Sequence, residues 1–208
     1  KYQVLNRESA IRAVPGVRSF ALSSKVPGER FTHYTLKVEG HEEPVGTNVL
    51  NATSGFDETL GLELVEGRFL DEKNYGRDTI NNFVVNETFV KRYGIEDPIG
   101  KSMGFLFDQE LGHIVGVVKD FHQSGLQNKI APLAIVGRRN SLRNVSMKVS
   151  TNNLKSTISG LENVWTQIEP DHPMRYSFLD ADFANQYAEQ ERFGTTMLYA
   201  TLLTIFIA

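Results

Sequence analysis

Residues 114–118, Ile114-Val115-Gly116-Val117-Val118 (IVGVV), are apolar on both faces of an extended chain. Successive side chains of a strand point to opposite faces, so a strand apolar on both needs cover on both. This run therefore reads as a central strand, within a stretch from Gly112 to Val118. Upstream, Phe83-Val84-Val85 reads as a second short buried strand. Asn86 follows as the cap of a two-turn helix, Glu87 to Tyr93, with Lys91 and Arg92 at its C-terminal end and Gly94 as its left-handed stop. A further strand is expected near Lys101 to Phe107, after the Asp97-Pro98-Ile99-Gly100 turn.

Towards the N-terminus, a helix is expected from Asn6 to about Val14, ended by Pro15-Gly16. Three strand-like stretches follow, Val17 to Val26, Phe31 to Val38 and Val45 to Ala52, separated by turns at Pro27-Gly28 and at residues 40–44. Ser54-Gly55-Phe56-Asp57 has the form of a capping box before a short helix. Past the central strand the pattern returns to that of the beginning. A strand near Arg143 to Val149 precedes a helix from about Asn153 to Glu169. Its Leu154, Ile158, Leu161, Trp165 and Ile168 make one apolar stripe, which reads as core. Met174 to Leu179 reads as a strand, and Asp180 as the cap of a last helix. Strands and helices alternating irregularly in this way indicate an α+β fold.

Residues Thr195 to Ala208, TTMLYATLLTIFIA, carry no charge. As a helix they would extend about 21 Å, against about 30 Å for a bilayer core. Their apolar residues surround the helix instead of striping it, so the segment reads as the start of a transmembrane helix. A buried C-terminal helix is the rival reading. The preceding Glu189-Gln190-Glu191-Arg192 makes a charged stretch feeding the apolar one, as a stalk entering a membrane would.

With 208 residues, 40% of them hydrophobic, the chain can bury a core. Its net charge of −3 advertises no nucleic-acid surface. It has no cysteine, which excludes thiol catalysis, zinc–thiolate sites and disulfides. Gly100-Lys101-Ser102 has the form of the end of a phosphate-binding loop, but the position five residues before Gly100 is Ile95 where that loop needs glycine. None of the five histidines stands three or four residues from another, so no helix face offers a histidine metal pair. Asp120-Phe121-His122 could supply two ligands, yet as neighbours at a strand end they read better as a turn. No nucleophile or acid–base constellation emerges.

Five blocks together carry a resemblance: GLELVEGRF (61–69), VVNETFVKRYG (84–94), DPIGKSM (97–103), HIVGVVKDFHQSGLQNKIAP (113–132) and FLDADFANQYAEQERFG (178–194). The chain resembles the MacB-like periplasmic core domain of FtsX-like ABC transporter permeases. The resemblance implies a porter-like α/β subdomain formed by both chain ends, residues 1–78 and 142–194. An inserted smaller α/β subdomain, 79–141, completes it, and 195–208 begins the transmembrane helix. It implies a non-catalytic domain on the periplasmic side of the inner membrane of a Gram-negative bacterium. No cofactor is expected in it, because ATP is hydrolysed on a separate cytoplasmic ABC ATPase. A second permease copy or homologue and a periplasmic adaptor or enzyme are the other expected partners.

The domain would couple ATP-driven movement of membrane helices to export or to control of that partner. Phe183, Tyr187, Glu189, Glu191 and Arg192, on the helix leading into the membrane, are the candidate coupling surface. Phe183 and Tyr187, four residues apart, could equally serve ordinary packing. The alternative function is a ligand-sensing extracytoplasmic domain of a membrane receptor.

Overall fold

The computed structural model describes residues 8–71, 82–123, 128–138 and 141–179. The expected cap Asn6, the last helix with Asp180, the five candidate coupling residues and the 195–208 run lie outside the described residues. Among those described, no helix is long and apolar enough to cross a membrane.

In chain order the elements are α1 (Glu8–Arg12), β1 (Val17–Ser23), β2 (Thr32–Val38), β3 (Val45–Asn51), α2 (Phe56–Leu60), β4 (Leu64–Gly67), β5 (Asn82–Asn86), α3 (Glu87–Tyr93), β6 (Ser102–Phe105), β7 (Gly112–Val118), β8 (Leu133–Val136), β9 (Asn144–Val149) and α4 (Leu154–Ile168). The fold is α+β. Seven strands form one sheet in the order β4-β7-β5-β8-β3-β2-β6, and β6 also pairs with β7. The sheet thus curls until six of its strands meet, with β4 added beside β6 on the same edge of β7. β7 is central, as its two apolar faces require: it pairs in parallel with β5 and antiparallel with β4 and β6. A bulge at Val115–Gly116 shifts its register against β5. The bulge explains why Ile114 and Val117, three residues apart, reach the same core.

Alternation sorts the side chains into two layers. Phe83 and Val85, Ala134 and Val136, and Met103 and Phe105 pack inside the curl, where Phe89 of α3 and Ile95 just after that helix close it. Val84, Leu133 and Ile135 face outward onto Phe31, Phe56, Phe69 and Leu70. A separate antiparallel ribbon pairs β1 with β9, joining Val17 to Val149 and Ser23 to Asn144. Its Phe20 and Leu22 pack with Ile11 and Val14 near α1 and with Leu161 and Ile168 of α4, while Ala21 faces the sheet layer. Strands from 1–78 and from 79–141 share the seven-stranded sheet, and the strands nearest the two chain ends share the ribbon.

Most expected elements are present with trimmed ends; three expectations are corrected. The start of α2 falls one residue later than expected: Gly55, in a left-handed conformation, is the N-cap where the sequence places Ser54. The stripe on α4 holds at Leu161 and Ile168, with Trp165 packed against the same core, but departs in the first turns. Thr157, Leu161 and Ile168 are its buried positions, and the Thr157 hydroxyl donates to the Pro15 carbonyl at 2.9 Å. Thr157 wins a core position because this bond satisfies its hydroxyl, which leaves Leu154 and Ile158 half-buried. Residues 173–178 form no strand. Their aromatic members lie outside the core instead, Tyr176 and Phe178 meeting edge to face at 5.8 Å.

Candidate functional site

The quoted motifs converge on one buried polar node at the junction of β5 and α3. Asn86 closes β5 and is fully buried. As expected, its side-chain oxygen caps α3 by accepting from Phe89 N at 3.1 Å. The same oxygen accepts from Leu133 N at 2.9 Å. Its amide nitrogen donates to Asp120 Oδ1 at 2.8 Å and to the Ala131 carbonyl at 3.1 Å. All the hydrogen-bonding capacity of the side chain is thereby used.

Asp120 is equally committed. Oδ1 also accepts from Thr88 N at 2.9 Å, and Oδ2 accepts from the Thr88 hydroxyl at 2.7 Å. The carboxylate thus stands at the N-terminal turn of α3, where anions are favoured. Gln123 extends the network: its amide donates to the Ala131 carbonyl at 2.7 Å and its side-chain oxygen accepts from Asn48 Nδ2 at 3.0 Å. Its backbone carbonyl accepts from Gly28 N at 2.8 Å. Asp120-Phe121-His122, expected as a turn, is an irregular stretch after β7, in which the Asp120 oxygens serve as acceptors for Asn86 and Thr88. Among the described residues, no three acidic or histidine side chains are grouped so as to hold a metal ion.

Beside the node lies an open groove of about 520 Å³, lined by Leu60, Leu62, Phe121, His122 and Leu179 among others. Glu63 and Lys119 face each other across its mouth as an exposed ion pair, and this bond raises the Lys119 pKa above its ordinary value. Leu179, the last described residue, is part of the groove's lining. Gly100-Lys101-Ser102 lies elsewhere, between a turn and β6. A strand follows it where a phosphate-binding loop needs a helix, and Ser102 N donates to Glu39 Oε2 at 2.9 Å.

Solved structures with the same architecture include extracytoplasmic parts of transport proteins. The periplasmic region of MacB from Actinobacillus actinomycetemcomitans superposes with a TM-score of 0.61 at 15% identity, covering 89% of this chain and 82% of that one. The extracellular domain of the noncanonic ABC-type transporter YknZ from Gram-positive bacteria gives 0.57 at 16% identity, covering 81% and 84%. A domain assigned to a permease protein from Porphyromonas gingivalis gives 0.54 at 15% identity, covering 83% and 84%. The chain has the fold of the MacB periplasmic region. No protein-family model matches the chain, and no curated protein matches it in sequence.

The fold bears out the α+β class and the likeness to the MacB periplasmic region that the sequence motifs implied. The node itself was not anticipated as a unit. Asn86 was assigned only as a cap and Asp120 only as part of a turn, and nothing local pairs them. Asn86 ends the apolar strand β5, and Asp120 stands two residues past the apolar strand β7. β5 and β7 run in parallel, with Asn86 opposite Val118. Two polar residues at or just past the ends of two parallel strands were the available signal.

Proposed function

We propose that the chain is the non-enzymatic extracytoplasmic domain of an ABC-type permease. The observation that carries this reading is the fold likeness, which spans more than four-fifths of this chain and of each neighbour. In this reading the domain sits outside the cytoplasmic membrane and works with a cytoplasmic ABC ATPase, a second permease copy or homologue, and an adaptor or enzyme outside the membrane. One of the similar structures comes from Gram-positive bacteria, so the proposal does not require an outer membrane.

The proposed mechanism is mechanical coupling. Residues 180–208 continue from Leu179 at the groove and lead into the membrane, with Phe183, Tyr187, Glu189, Glu191 and Arg192 as the coupling surface. A tilt of this segment would move Leu179, which lines the groove together with Leu62 and Phe121. Phe121 directly follows Asp120, whose bonds reach β5, α3 and, through Asn86, the start of β8. The rigid node would then pass the displacement to the sheet as a body, since a fully satisfied buried network resists local yielding.

The test is to tag the full-length protein, extract it in mild detergent and identify what co-purifies in stoichiometric amount. A subunit carrying a phosphate-binding loop is the expected result. A kinase, or no nucleotide-binding partner at all, would sink the permease reading and favour the receptor.

A further inference from the structure

The hairpin joining β6 to β7 displays apolar surface that no core uses. Phe107 is 68% exposed and Leu106 49%, with Leu111 and Tyr34 exposed beside them. Loop tips are ordinarily small, polar and mobile. This one is clamped. Phe107 stacks on buried Phe105 with centroids 5.2 Å apart and planes at 21°, and Tyr34 meets Phe105 edge-on at 5.4 Å. The Arg138 guanidinium lies over both phenylalanine rings, 4.3 Å and 5.4 Å from their centroids.

Arg138 Nη2 also stands 2.5 Å from Asp108 Oδ1, the two side chains only 20% and 9% exposed. The other Asp108 oxygen accepts from Phe105 N at 3.1 Å. A desolvated ion pair of this kind returns little net stability, and fixing geometry is the role that remains for it. A rigid exposed aromatic ringed by apolar neighbours has the form of an interaction anchor whose ordering cost is met before binding.

The surroundings are acidic. Glu110 is exposed at the tip, and Leu111 shares a shallow depression with Glu39 and Glu42. Lys37 also lines that depression, and Lys101 lies close enough to interact with Glu39. Among the described residues there, the three carboxylates outnumber the two lysines, and His41 also lines the depression. Charge complementarity therefore selects a partner of opposite sign.

We infer that this hairpin tip is a docking surface for a separate extracytoplasmic protein that presents an apolar pocket with a basic rim. The inference rests on the extracytoplasmic placement proposed above. It is tested in the full-length protein in its own cells, with the photo-crosslinker p-benzoylphenylalanine placed at Leu106, at Leu111 and, as a control, at Val65 on β4. The expected result is an adduct from the hairpin positions, absent from Val65, with one distinct extracytoplasmic protein. Its yield should fall about tenfold in Phe107→Ser, the loss of one interface anchor. It should fall likewise in the double reversal Glu42→Lys/Glu110→Lys.

Phe107 is exposed, so Phe107→Ser should melt like the parent, and a melt moved by more than about 5 °C would send the test to Phe107→Gln. Adducts to a second copy of the chain, to lipid, or equally from Val65 would overturn the inference, as would none. A yield indifferent to charge reversal would overturn the basic rim. Co-purification of an ATPase reads the permease proposal independently, so either can fail alone.

Discussion

The Asn86 side-chain amide donates to Asp120 Oδ1 at 2.8 Å, tying the end of β5 to the residues that follow β7. Its oxygen meanwhile holds the first turn of α3 and the backbone of Leu133. One buried side chain therefore sets the relative position of two parallel strands, a helix and the entry to a third strand. Neither packing nor the sheet ladders reach this junction in the same way, because ladders stop where strands end.

Replacing Asn86 by Leu would leave Phe89 N and Leu133 N without a partner, while the Ala131 carbonyl keeps the Gln123 amide. Each orphaned buried group costs about 1–3 kcal/mol, so a loss of about 3–5 kcal/mol is expected. For a chain of this size that lowers the melting temperature by roughly 10 °C or more. Asn86→Asp should behave differently: it keeps both acceptor bonds but sets a second carboxylate against Asp120. One of the two carboxyls must then titrate above its unfolded value, so this variant gains stability as pH falls from 8 to 5. Urea unfolding at the two pH values reads both effects, and a loss under about 1 kcal/mol in Asn86→Leu would refute the node.

Where β4 crosses β7, no room exists for a side chain. A Cβ on Gly116 would lie 2.1 Å from the Arg68 carbonyl oxygen, and one on Gly67 would lie 2.3 Å from the Val115 carbonyl oxygen. Gly67 also holds a φ of 74° that disfavours any other residue. Both obstacles are backbone, so Gly116→Ala must push β4 aside, at a cost of about 2–3 kcal/mol. Arg68 N donates to the Val115 carbonyl at this crossing. Its amide hydrogen should exchange faster in the variant while that of Val84 stays protected, and unchanged exchange at Arg68 would contradict the geometry.

The contrast between Gly94 and Gly116 shows what the sequence could convey. Gly94 ends α3 at φ 57° as its position after a capped, basic-ended helix foretold, because helix punctuation is local. Gly116 is required by the close approach of Arg68, forty-eight residues earlier in the chain, and no local pattern announces that. The same division runs through the whole fold. The central strand and the Asn86 cap were legible from period and capping chemistry, whereas the curl that brings β6 onto β7 depends on long-range register. Thr157 displaced the expected stripe in the first turns of α4 because the Pro15 carbonyl, distant in sequence, was there to receive its hydroxyl. The Phe105–Phe107–Arg138 stack was illegible for the same reason, since Arg138 arrives from the segment after β8.

That stack predicts an asymmetry between single and double variants. Arg138→Leu strips the charge partner from Asp108, whose side chain is only 9% exposed, and should cost about 3 kcal/mol. Removing both charges in Arg138→Leu/Asp108→Leu should recover much of that loss, because a buried pair contributes little over an apolar one. The ring-current shifts of Phe107 should weaken in either variant if the guanidinium holds the stack. A double variant as unstable as the single would mean that the pair stabilises the tip outright.

The Glu39 carboxylate supplies a pH reading at the opposite end of β6. It accepts from Ser102 N at 2.9 Å, and this hydrogen bond, reinforced by the Ser102 side chain and by Lys101 and His113, holds its pKa below the ordinary glutamate value of 4.5. A depressed folded-state pKa means that the contribution to stability is complete above the unfolded value and disappears as pH falls through the folded one. The Ser102 amide resonance should therefore shift with a midpoint below 4.5. Because Glu39 is fully exposed, the effect is local: Glu39→Gln should abolish the Ser102 titration and scarcely move the melting temperature. A Ser102 midpoint at or above 4.5 would show that the carboxylate does not hold the amide at the start of β6.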